Sequence, residues 1–293
     1  MRKTSGLILM GVFAFLLVTA LMGWFYAPGS TQRTPLNVKS TTDLEGTATY
    51  LGTGPAPVQA YSKNVVNGEK STGSKVVFTS NTCLWFKDVR GECPDAAGGP
   101  GLINAAEDTF ATDRHTGLSV DTSTYHHEGL VNKFPFSAEK KTYPFWDGVL
   151  GKAVDAVFKG EESVNGFSTY KYVISVPEQP AIITGDVQGT YSDDKTMWVD
   201  PVTGSIIKQS DRQLRKLDSG ATALDLDLSF TPAQVAANVK DADANRSQLR
   251  IVGMLPNIAI VGALVSLVAG LLLLRDGNRA TPTEGRRAAV RTA

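Results

Sequence analysis

The sequence predicts an α+β membrane protein, in which a β-rich exported domain of curved antiparallel sheets, divisible into two related lobes, lies between N- and C-terminal transmembrane helices. Three observations predict it. Long uncharged apolar runs stand near both ends, strand-like segments fill the middle, and the motif D-x-x-T-G occurs twice, at 113–117 and 200–204.

Residues 1–6 form a short basic N-terminus, and 29 residues without a charge separate Lys3 from Arg33. A spanning helix needs about 20 apolar residues, which 7–26 supplies. A cleaved signal peptide is the competing reading, with Val18-Thr19-Ala20 as a small-residue cleavage site, but the apolar run continues past it to Trp24. The second span, 251–274, reads IVGMLPNIAIVGALVSLVAGLLLL. Basic residues flank both spans, Arg2 and Lys3 before the first and five arginines within 275–293 after the second. Basic flanks stay in the cytoplasm, so both termini are expected inside and 27–250 on the outer, cell-wall side of the plasma membrane. The formal charge of zero hides an exported part with 22 basic and 27 acidic residues (29 − 7 and 29 − 2). That balance gives no reason to expect nucleic acid as a partner.

Lobes are expected at about 40–130 and 140–230, with a membrane-proximal helix at about 232–250. Runs such as STYKYVISV and ALDLDLSF are β-branched, aromatic and alternating. Asn165-Gly166 between two such runs is a type I′ hairpin signal, since both central residues need positive φ. In each D-x-x-T-G the Asp (Asp113, Asp200) accepts from backbone N–H groups ahead of it, Thr116 or Thr203 follows, and Gly117 or Gly204 takes positive φ as the chain re-enters a strand. These are hairpin corners, a backbone requirement. Thr231, Pro232 and Gln234 read as a helix start with a capping box, and Pro256 as a kink in the following span.

Cys83 and Cys93 are the only cysteines. Both fall in the exported part, and a disulfide is the simplest reading in an oxidising compartment. His115, His126 and His127 stand near Asp121 and Glu128, a set that offers imidazoles and a carboxylate to a metal. Adjacent residues on a strand point to opposite faces, so a polar surface loop is the expectation. No nucleophile elbow, phosphate loop, dinucleotide fingerprint or zinc-protease helix appears. The expectation is a protein that is not an enzyme and uses no metal or cofactor. Phe134, Phe136, Tyr143, Phe145 and Trp146 make the most aromatic stretch, which reads either as core or as a greasy lip that binds a ligand. Gly262, Ser266 and Gly270 recur every four residues on one face of the second span. Small residues at that spacing let a helix approach closely, and the approaching helix is either the first span or a second copy of the chain.

KTYPFWD at 141–147, the paired DRHTG and DPVTG corners, and LSFTPAQ before the last helix resemble the actinobacterial PorA-like envelope proteins. The resemblance covers nearly the whole chain and implies channel formation in the cell wall. A transmembrane β-barrel needs alternating segments with an apolar outward band, whereas here the apolar material lies in two helices, so a channel would require an oligomer. Two functions follow. The exported domain binds an apolar envelope molecule or a partner protein, or the chain is a porin-like, channel-forming homo-oligomer. The lipid bilayer is the partner common to both.

Overall fold

The computed structural model describes residues 2–87, 101–122 and 124–279. They fall into two compact units, one made by the chain's two ends (up to Thr31 and from Gln248) and one by Gln32–Ser247.

In the terminal unit, α1 (Arg2–Phe25) is followed by the short α2 (Ala27–Thr31), and it packs along the second half of α3 (Pro232–Arg279). Both long helices are long and apolar enough to cross a membrane. Leu7, Phe15, Val18, Leu264, Val265 and Leu272 are exposed on them, the placement expected where the surrounding solvent is hydrocarbon.

The other unit is built on one ten-stranded antiparallel sheet. Its strands are β1 (Lys39–Tyr50), β2 (Thr53–Val66), β3 (Lys75–Phe86), β4 (Leu102–Asp113), β5 (Tyr143–Asp147), β6 (Lys152–Val164), β7 (Phe167–Thr184), β8 (Val187–Val199), β9 (Ile206–Leu217) and β10 (Thr222–Phe230). Their order is β4-β3-β2-β1-β10-β9-β8-β7-β6-β5. The strands expected for the two lobes therefore join in a single sheet, with β1 against β10 at the seam from Leu44↔Phe230 to Tyr50↔Leu224.

Alternation decides which face each residue takes. In β10 Leu224, Leu226 and Leu228 are buried while Asp225 and Asp227 are exposed. Asn165-Gly166 forms the expected two-residue turn between β6 and β7, with φ of 50° and 80°. Leu51-Gly52 makes the same kind of turn between β1 and β2, with φ of 47° and 82°. No Asn or Asp announces that turn, and Leu51 adopts a conformation that β-carbon sterics disfavour.

The sheet curls into a half-barrel. Tyr191 on β8 reaches over the concave face to donate to Asp147 Oδ2 at the end of β5, 3.0 Å away. The edges β4 and β5 are also linked by isolated bridges, Thr112↔Ser119, Leu118↔Leu130 and Leu130↔Phe145. Bridging the edges removes unpaired strand groups that would otherwise template association.

The start of α3 departs from the capping box. Thr231 Oγ1 accepts from the Gln234 N–H at 3.1 Å, but the Gln234 side chain accepts from the Asp43 N–H at 3.0 Å instead of returning to Thr231. The Thr231 N–H is already taken by the Asp43 carbonyl at 3.1 Å, so the amide serves β1. Val235, Val239 and Ala242 then pack on Val164, Phe167, Trp198, Ile207 and Phe230. The helix runs through Pro256 without a break.

Candidate functional site

Both D-x-x-T-G motifs are hairpin corners, and the fold brings them to one segment. Asp113 Oδ1 accepts from the N–H groups of His115 (2.9 Å) and Thr116 (2.7 Å) and from Thr116 Oγ1 (2.9 Å). Asp200 accepts likewise from the N–H groups of Val202 (2.9 Å) and Thr203 (3.2 Å) and from Thr203 Oγ1 (2.5 Å). Gly117 and Gly204 have φ of 71° and 74°. Burial pushes the Asp113 carboxyl up, but the hydrogen bonds from Thr116 and His115 outweigh it and hold it below the ordinary value.

Between the corners lies 133–137. Phe134 N–H donates to the Gly204 carbonyl (2.8 Å), Ser137 N–H to the Val202 carbonyl (3.0 Å) and Phe136 N–H to the His115 carbonyl (3.2 Å). A side chain on Gly204 would collide with the Phe134 carbonyl, and one on Gly117 would crowd the Lys133 carbonyl. The glycines thus serve close approach as well as positive φ, which the motif alone does not reveal.

The aromatic stretch is anchored by this clamp and divides between core and surface. Phe134, Tyr143 and Phe145 are 0%, 7% and 6% exposed. Phe134 stacks on Tyr172 (4.4 Å between centroids) and meets Tyr143 edge-on. These three rings are core, because the bridged edges fold their segment over the concave face. Phe136 and Trp146 keep partial exposure; Phe136 lies under the Lys133 ammonium (3.7 Å) and Trp146 against the His127 ring (4.6 Å). Lys133 is a residue the sequence reading passes over. Burial drives its pKa down, the Asp200 charge resists, and the value falls to about 7.

Asp200 also ties the corner to α3. Arg246 donates from Nε to Asp200 Oδ1 at 2.7 Å and from a terminal nitrogen to the Ser168 carbonyl at 2.8 Å, with its guanidinium over Phe167. Asp200 is fully buried, so this pair is shielded from solvent screening.

The concave face also carries a row of polar groups that sequence reading missed. Lys195 on β8 lies 3.2 Å from Asp193 Oδ2 and 3.2 Å from Asp211 Oδ2 on β9. Gln213 donates to Asp211, and Arg215 donates to Gln213 at 2.9 Å. Burial first, then the neighbouring Asp211, raise the Asp193 carboxyl to about 8 against the pull of Lys195. Burial disfavours the Lys195 charge, but Asp211, Asp193 and Asp147 outweigh it and raise its pKa. The period-2 spacing of Asp193 and Lys195 and of Asp211, Gln213 and Arg215 was the available signal, but spacing does not say which face is buried.

The outward faces of the strands are polar: Asp43, Thr47, Asp194, Arg212, Asp225 and Asp227 are exposed. No apolar band of the kind a transmembrane barrel presents to lipid runs along these strands.

The three histidines go to separate partners: His115 to the Gln32 carbonyl (2.7 Å), His126 to Asp121 (2.9 Å) and His127 to Asp108 (2.9 Å). Among the described residues no group of three or more His, Cys, Asp or Glu side chains is arranged to hold a metal ion. Cys83 lies buried on β3, whereas Cys93, its expected partner, lies outside the described residues.

In the terminal unit the small-residue face of α3 is covered by α1. A side chain on Gly270 would press on the Gly6 carbonyl, Leu9 and Met10, and one on Gly262 on Leu16. Ser266 is 9% exposed on the same face. Of the two helices the sequence allowed on this face, the first span or a second copy, α1 of the same chain lies against Gly262 and Gly270.

A family model described as Porin PorA matches residues 5–272. Over an alignment of 96 positions the chain is 32% identical to a Porin PorA of Corynebacterium amycolatum, covering 27% of this chain and 25% of that relative's length. The matched range runs from within the first apolar helix to near the end of the second and takes in the whole sheet, so the chain belongs to the Porin PorA family.

Proposed function

We propose that the chain is a non-enzymatic, porin-like protein of the cell envelope that forms a channel as an oligomer. The observation that carries this reading is the family match over residues 5–272. Two helices cannot enclose a pore, and the polar outward faces of the strands do not suit a lipid surface, so several copies must assemble through their helices. The exposed apolar sides of α1 and α3 are the surfaces left for that assembly. In this reading α1 and α3 cross the plasma membrane with both termini inside, and the β-rich domain stands on the outer side. A disulfide between Cys83 and Cys93 belongs to the same export reading; alkylation without reductant should leave the intact mass unchanged.

The other reading, a carrier for an apolar envelope molecule, needs free aromatic surface. Three of the five rings that would supply it are core, which makes it the weaker of the two. Reconstitution of the purified full chain into planar bilayers is the test. Stepwise conductance, with a closed oligomer by native mass spectrometry, supports the channel. A silent bilayer together with a monomer carrying a reproducible lipid mass would sink it.

A further inference from the structure

Inside the curled sheet two carboxylates have an unfilled requirement. Asp193 is 1% exposed and Asp211 8% exposed. Each presents Oδ2 to the Lys195 ammonium at 3.2 Å. Each keeps its Oδ1 buried and without any hydrogen-bond partner. A buried polar atom without a partner costs about 1–3 kcal/mol, more when charged, so two on neighbouring side chains call for a common explanation. The two carboxyls converge on one ammonium from adjacent strands, so they are close neighbours. Two ionised carboxylates have only acceptors to offer there.

We infer that Asp193 and Asp211 form a proton-binding dyad inside the half-barrel, one carboxyl protonated and donating to the other. A single proton turns one group into a donor, gives the other its missing partner and removes the repulsion between like charges. A metal ion is a poorer occupant, because the Lys195 ammonium already stands between the two carboxylates and repels it.

The groups that face the dyad favour one bound proton. Tyr191 and Lys195 come from β8, Arg215 from β9 and Asp147 from the end of β5. On either side β7 places Ile174 and Val176 opposite Lys195 and Asp193, and β10 places Leu226 and Leu228 opposite Gln213 and Asp211. Lys195 and Arg215 bring two positive charges to face the three carboxyls of Asp147, Asp193 and Asp211, and the aliphatic flanks supply no third cation on those sides. Burial and the adjacent Asp211 raise the Asp193 carboxyl to about 8, consistent with a proton that stays bound at neutral pH. The concave face then gains one negative charge as pH passes that value. The dyad does not depend on the channel reading, and its failure would leave that reading untouched.

Infrared difference spectroscopy of the full chain in detergent micelles tests it. Ordinary carboxyls are ionised above about pH 6, so a protonated carboxylic acid band at neutral pH is diagnostic. The expected result is such a band in the native chain, lost with a midpoint near pH 8 and absent from Asp193→Asn and Asp211→Asn. In those variants the amide N–H takes over the donor role, so the fold is expected to survive. Three results would overturn the dyad: no band at neutral pH in the native chain, a band that persists in both variants, or stabilisation of a band-free native chain by added sodium or calcium ions. The native titration decides the matter even where a variant does not fold.

Discussion

Lys133 and Asp200 show how one site can carry opposite electrostatic consequences. Lys133 has a folded pKa near 7 against 10.5 for the free side chain. Between those values the unfolded chain binds a proton that the folded chain releases, so this group makes stability rise with pH across the window, and its penalty is complete below about 7. Lys133→Met should therefore stabilise the protein by roughly 2–5 kcal/mol near pH 6, at 1.36 kcal/mol per pKa unit. The gain should shrink toward zero as pH approaches 10.5, and thermal melts at several pH values check this. Asp200→Ala acts in the opposite direction, because it strips the corner of its acceptor and leaves Arg246 without its carboxylate. Losing one partner of a buried pair costs about 3–5 kcal/mol. Asp113→Ala removes the same kind of acceptor without stranding Arg246 and should cost about 1–2 kcal/mol, the range of a lost cap. Urea unfolding of the two variants side by side should separate them; equal losses would mean that the Arg246 link adds nothing.

The elements were legible to different depths. The corners and the Asn165-Gly166 turn could be read because their requirement is local: a carboxylate within reach of nearby N–H groups and a residue with positive φ. Half of the expected capping box forms, Gln234 N–H to Thr231 Oγ1, while the Gln234 side chain goes to Asp43 because that choice depends on where β1 lies, 191 residues away in sequence. Gly262, Ser266 and Gly270 showed that some helix comes close, while the identity of that helix depends on how the chain's ends meet. Gly270→Leu drives a large side chain into the Gly6 carbonyl and Met10. It should lower the stability of the helix pair in detergent by about 1–3 kcal/mol, as overpacking does. The mass of any oligomer should stay unchanged. An oligomer that falls apart while the helix pair keeps its stability would return that face to association between copies.

At the scale of the whole molecule, the sequence by itself determined the two apolar end helices, the strand-rich middle and the family, because chain length, apolar periodicity and turn chemistry are properties of contiguous residues. The resemblance carried by KTYPFWD, the paired corners and LSFTPAQ was sufficient for the family and held over residues 5–272. Only the tertiary structure decided that strands from both expected lobes share one sheet, and that its β4 and β5 edges are bridged through Ser119 and Leu130. It alone buried Phe134, Tyr143 and Phe145 beneath that closure and brought the two corners to the same five residues. It also gathered Asp193, Lys195 and Asp211 on a concave face. The physical reason is common to all of these. Alternation assigns a residue to one of two faces, but the curl of the sheet decides which face is dry, and curl is set by strand pairing between residues far apart in the chain.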